Sequence, residues 1–177
     1  MERWARGRKP WGRGLLLLVL GLIFWRYLTE PSYQSIFNGL NLVIHEAGHA
    51  AFSYFGEWLS VAGGTVFQLG IPLVVGSMFY RQGDAFAVAV ALFWVGTNAV
   101  EVGVYAADAR ARALPLVSPS TTEPIHDWYY MLARAGLLRF DLLLGGLLRT
   151  GGLAAMGLAL ATGGWLVRIM ARKAAPG

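Results

Sequence analysis

Apolar residues in this chain come in long unbroken runs, not in the alternation of a half-buried strand or the narrow stripe of a surface helix. The first run, Gly14 to Trp25, follows Arg3, Arg6, Arg8, Lys9 and Arg13. It has the basic and apolar regions of a signal peptide but no small-residue cleavage site after them. It therefore reads as an uncleaved first span over 14–28, short for a bilayer, with Arg13 and Arg26 snorkelling and Tyr27 at the interface. A second apolar segment runs over about 36–57, with Ser32 or Ser35 available to cap it. A third runs over about 61–80, where Gly63-Gly64, Gln68, Gly70 and Pro72 predict a kinked or partly unwound helix. The fourth, Ala85 to Ala107, is the cleanest span.

A polar loop from Asp108 to Asp127 follows, with Arg110, Arg112, three prolines and a Ser/Thr cluster. Beyond it, Met131 to Leu148 is apolar but interrupted by Arg134, Arg139 and Asp141, and Gly151 to Val167 forms a last span. Basic residues at both ends, including Arg168, Arg172 and Lys173, favour a cytoplasmic location for both, which needs an even number of crossings. Four early spans and one late span make five, so either 131–148 also crosses or one segment is re-entrant. The predicted class is an all-α polytopic membrane protein with about 5–6 transmembrane or re-entrant segments, in a single integral domain over 1–177.

Composition agrees: 56% of residues are hydrophobic and only 14% charged, with the charges gathered between the apolar runs. The net charge of +5 comes largely from the termini, and nothing interleaves basic with aromatic residues, so the implied partner is the lipid bilayer and no nucleic acid. With no cysteine, a disulfide framework, a thiolate zinc site and a cysteine nucleophile are all excluded, and any metal must be held by His, Asp or Glu. Abundant Ala, Gly and Arg point to a GC-rich bacterium, hence an inner-membrane protein with a cytoplasmic amino terminus.

The second segment carries His45-Glu46-Ala47-Gly48-His49. On a helix His45 and His49 share one face a turn apart, so both imidazoles can reach one zinc ion. Glu46 is adjacent but rotated, which suits a general base acting on water at the metal. Ala47 and Gly48 leave room for a metal, a water and a substrate backbone. Each ionisable group in such a segment costs about 2.5–3.5 kcal/mol on insertion scales, a cost that favours a functional over an idle role. Asn38, Asn41, His45, His49 and Ser53 fall within a sector of roughly 120° and predict a polar stripe; the alternative is that the histidines merely pack as hydrogen-bonding groups. In the fourth segment Asn98, Glu101, Tyr105 and Asp108 fall within about 80° and predict a second stripe, lining a water path or packing between helices. Gln68 reads more simply as part of a close helix contact than as a substrate-binding group.

The extended HExxHxxGxxH pattern fails because Phe occupies positions 52 and 55. The HExxH in a membrane segment, the following Gly63-Gly64 and an aspartate in a later segment instead resemble the site-2 protease group of intramembrane metalloproteases, in particular its small bacterial members. The resemblance covers residues 36–130, between a basic tail (1–13) with the first span (14–28) and C-terminal helices with a basic tail (131–177). It implies a zinc cofactor held by His45, His49 and a later aspartate, with Glu46 as the catalytic base and a membrane-embedded polypeptide as substrate. The Asp-Gly ligand motif of larger members is missing, and the nearest counterpart is His126-Asp127-Trp128. Asp127 is the third ligand on this reading; the alternative is that it serves as a helix N-cap, with His126 or Asp108 as alternative ligands. Two rival functions remain, a noncatalytic membrane zinc-binding scaffold or chaperone and an ion transporter.

Overall fold

Backbone N–H and C=O groups in lipid must be satisfied within their own segment, so long apolar runs fold as helices. The computed structural model describes Trp4, residues 7–116 and residues 125–174; Arg3, Arg6 and the Ser/Thr cluster at 118–122 lie outside the described residues. Among the described residues the chain is all helical: α1 (Pro10–Thr29), α2 (Asn38–Phe52), a 3₁₀ turn (Ser53–Phe55), α3 (Glu57–Arg81), α4 (Ala85–Ala107), α5 (Asp127–Arg134), a second 3₁₀ turn (Leu138–Phe140) and α6 (Asp141–Ala174). Among the described residues, four helical stretches are long and apolar enough to cross a membrane: Pro10–Thr29, Glu57–Arg81, Ala85–Ala107 and Leu138–Arg172. The protein is a helical membrane protein. Leu15, Leu18, Leu22 and Trp25 along α1 are each 63–68% exposed, an apolar face that fits contact with lipid and not with water.

Three boundaries differ from the sequence reading. Helix α1 starts at Pro10, whose fixed φ and missing N–H suit a first helical position, so its 20 residues span about 30 Å and the run is not short. Helix α3 is unbroken through Gly63, Gly64, Gly70 and Pro72, not unwound. Proline removes one backbone donor, whereas unwinding would leave several groups unsatisfied. The stretch 131–148 forms no helix of its own. Its first part belongs to α5, Gly136 takes a left-handed φ of 69°, and the remainder runs without a break into the expected last span as the 34-residue α6. Helix α2, at 15 residues, is the segment too short to span.

The chain packs as two compact units, residues 1–37, 71–97 and 153–177, and residues 38–70 and 98–152. In the first, Phe86, Leu166 and Met170 form the buried centre, with Leu17, Val90 and Val167 packed around them. Asp84 accepts the amides of Phe86 and Ala87 at 3.2 and 3.1 Å and so caps α4, and Arg8 reaches it at 3.2 Å.

The second unit is built on two glycine crossings. A Cβ on Gly63 would lie 2.5 Å from the Gly48 carbonyl oxygen, and one on Gly145 would lie 2.5 Å from that of Gly103. Backbone therefore meets backbone between α2 and α3 and between α4 and α6, the contact that small residues permit in membranes. Asp141, 1% exposed, accepts the Leu142 amide at 2.7 Å and the Arg110 guanidinium at 2.8 Å, tying the turn after α4 to the start of α6.

Gly103→Val is expected to destabilise the protein by about 3 kcal/mol or more, because the crossing cannot open without separating two backbones. Gly146→Ala, where an added Cβ meets nothing within 4 Å, is expected to be neutral or slightly stabilising. Thermal unfolding of the two variants in the same detergent compares them.

Candidate metal centre

Helix α2 buries Asn41, His45 and Gly48, and α3 runs back along it from a turn in which Gly56 has φ 93°. Every fourth residue of α3, Ser60, Gly64 and Gln68, then meets the histidines. The Nδ1 of His49 donates to the Ser60 carbonyl at 2.8 Å, and the Nδ1 of His45 lies 3.0 Å from Gln68 Oε1. Between them, a Cβ on Gly64 would stand 2.6 Å from His45 Nε2 and 2.7 Å from His49 Nε2. Glycine at 64 thus keeps a space open at the Nε2 edges of both rings.

With each Nδ1 hydrogen directed to an acceptor, both Nε2 atoms face the other way, toward Asp127 Oδ2, at 2.9 Å from His45 and 3.3 Å from His49. Three electron-pair donors converge in a mostly buried place, and positive charge must sit among them, as ring protons or as one metal cation. Ligands about 2.0–2.1 Å from a tetrahedral zinc stand about 3.3 Å apart, close to the spacings here, and two imidazoles with a carboxylate are a zinc donor set. The residues present therefore fit the metal. Ligand atoms of His45, Glu46 and His49 also lie within 4.8 Å of one another. Of the two carboxylates, that of Asp127 is the one whose oxygen stands at both Nε2 atoms.

Asp127 comes from the first turn of α5, and its own amide donates to Tyr105 Oη at 3.0 Å. Met131 packs with Val61 and Ala62 of α3, which fixes α5 against the hairpin. Burial pushes the Asp127 carboxyl up, but the bonds to His45 and His49 outweigh it and hold the group below the usual carboxylate range.

The other residues considered for the third position stand elsewhere. His126 is the N-cap of α5, its Nδ1 accepting the Tyr129 amide at 3.3 Å, while its Nε2 faces Asp108 Oδ2 at 3.3 Å. Asp108 accepts the amides of Ala113 and Leu114, both at 3.0 Å, and so clamps the turn leading away from α4. His126 rather than Asp127 does the capping, which frees the aspartate.

Of the expected α2 stripe, Asn41 and His45 are buried, but Ser53 falls in the 3₁₀ turn and donates to the Ala50 carbonyl. The α4 stripe does line the site: Glu101 accepts from Asn41 at 2.8 Å, Tyr105 holds Asp127 and Asp108 holds His126. Gln68 was underrated by the sequence reading. The signal was the i, i+4, i+8 series Ser60, Gly64, Gln68 opposite the His49, His45, Asn41 series.

Gly64→Ala is expected to displace both rings, and so to lower at least about tenfold the affinity for any zinc ion they hold, while helix content is unchanged. Chelator competition together with far-UV circular dichroism measures both. Compared with family models, with curated proteins and with solved structures, the chain matches none.

Proposed function

We propose that this protein is a zinc metalloprotease of the site-2 type, cutting a peptide bond of a membrane-embedded polypeptide. The observation that carries the reading is the convergence of His45 Nε2, His49 Nε2 and Asp127 Oδ2, with Glu46 next to His45 on a helix of apolar surroundings. A zinc ion held by these three residues supplies Lewis acidity toward water and toward a substrate carbonyl.

The chain's own residues do the rest. Asp127 and the two histidines fix where water and carbonyl meet, and the glycine at 64 leaves room for them. Glu46 removes a proton from the water as its oxygen bonds to the carbonyl carbon. When the C–N bond breaks, Glu46 delivers that proton to the departing nitrogen, which leaves as an amine, and is again a carboxylate. A transmembrane helix must unwind locally before it can be cut, because its carbonyls are held in internal hydrogen bonds. A bacterial inner membrane is the proposed location, with the basic residues before α1 keeping the amino terminus in the cytoplasm.

Zinc stoichiometry of the detergent-purified protein tests the site. One zinc per chain in the wild type and in His126→Ala, lost in His45→Ala and Asp127→Ala, is expected. A wild type that binds no zinc under metal-retaining conditions sinks the reading. Glu46→Gln is expected to keep its zinc and lose activity at least about a hundredfold; unchanged cellular function with zinc bound would make the protein a noncatalytic zinc scaffold.

A further inference from the structure

The histidine ligands differ in what lies behind them. Behind His49 stands a backbone carbonyl, Ser60 O, which can only accept. Behind His45 stands a side-chain amide, Gln68, which offers an oxygen or an NH₂ depending on how it is turned. An amide turned the wrong way would ask His45 Nδ1 to accept, place the ring proton on Nε2 and block that nitrogen as a ligand. Something must hold the amide.

Glu101 is placed to do so. Its Oε2 accepts from Asn41 Nδ2 at 2.8 Å and from Gln68 Nε2 at 3.4 Å. A carboxylate only accepts, so it draws the Gln68 NH₂ toward α4 and turns Oε1 toward His45, 3.0 Å away. Asn41 lies one helical turn before His45 on the same buried face of α2 and anchors Glu101 from that side. We propose that Glu101, acting through Gln68, is a positioning residue that holds His45 with its proton on Nδ1 and its Nε2 free for the metal. Two hydrogen bonds transmit the choice. The polarity runs one way from end to end: ring N–H to amide oxygen, amide N–H to carboxylate. This inference rests on the metalloprotease reading for its purpose, but the hydrogen-bond polarity stands on its own.

The test is a pair of near-isosteric changes. Glu101→Gln removes the acceptor-only group, so the amide at 68 can take either orientation. Zinc affinity, measured by chelator competition, is expected to fall about tenfold to a hundredfold. Combining Glu101→Gln with Gln68→Glu moves the carboxylate one link along the chain, where it accepts from His45 directly. That double variant is expected to recover most of the lost affinity, which a change in packing alone would not produce. In parallel, ¹⁵N-histidine NMR of the metal-free protein carrying Asp127→Ala, which removes the competing carboxylate 2.9 Å from His45 Nε2, reads the tautomer of His45 at alkaline pH, where each neutral ring carries one proton. In that background the Nδ1–H form is expected with Glu101 and Gln68 intact and in the double variant, and a mixture in Glu101→Gln. Unchanged affinity and tautomer in Glu101→Gln, or failure of the double variant to recover, overturns the proposal. If the wild type holds no zinc, the metalloprotease reading fails while the NMR still decides the polarity of the chain.

Discussion

His45 Nε2 and His49 Nε2 both stand within about one tetrahedral edge of Asp127 Oδ2, at 2.9 and 3.3 Å, and the second unit is organised so that these three electron-pair donors can meet. Such a cluster is unfavourable in apolar surroundings without a balancing positive charge. Each feature of the unit makes it sustainable. The Gly48–Gly63 crossing brings α3 close enough for Ser60 and Gln68 to take the Nδ1 hydrogens. Tyr105 and the packing of Met131 hold the aspartate against the rings. The helices here are a frame for aiming nitrogen and oxygen atoms.

Polar side chains on α4 follow from the same constraint. An intramembrane glutamate is costly unless its charge is answered, and Glu101 is met by amide hydrogens from Asn41 and Gln68. Asp108, at the end of the helix, is met by two backbone amides and His126. These groups form a contiguous layer, from Asn41 through Glu101 and Gln68 to His45 and on to Asp127, linked by successive side-chain contacts of 2.8, 3.4, 3.0 and 2.9 Å. A layer of that kind rigidifies a site, because any one group that turns leaves its neighbours unsatisfied.

Much of the fold was legible because lipid imposes a simple rule on sequence. Helix α4 has the bounds read from the sequence, Ala85 to Ala107, since Gly83 and Asp84 end one run and begin the next. The pairing of His45 with His49 followed from helical periodicity alone. Less legible was anything governed by the strength of the helix against its breakers. Glycine and proline, punctuation in water, did not interrupt α3 at Pro72 or α6 at Gly151-Gly152, because exposing backbone to lipid is worse than keeping a poor helix former. Contacts across long chain separations were also out of reach. Asp127 stands 82 residues from His45, and only the choice among Asp127, His126 and Asp108 could be framed beforehand. Gln68 read only as part of a close helix contact because one amide in an apolar run has no periodic partner of its own; its bond to His45 lies on the neighbouring helix.

The 34-residue helix α6 is about 51 Å long, some 20 Å more than the hydrocarbon core of a bilayer. A rod of that length must either lean well away from the membrane normal or project into the headgroups and beyond. It is a single unbroken element, and its first turns carry Asp141 and Gly145, which fasten it to Arg110 and Gly103. For a helix that leans, membrane thickness acts as a mechanical load: a thinner bilayer favours more lean and a thicker one less, and the lean bears on the end of the helix that abuts α4.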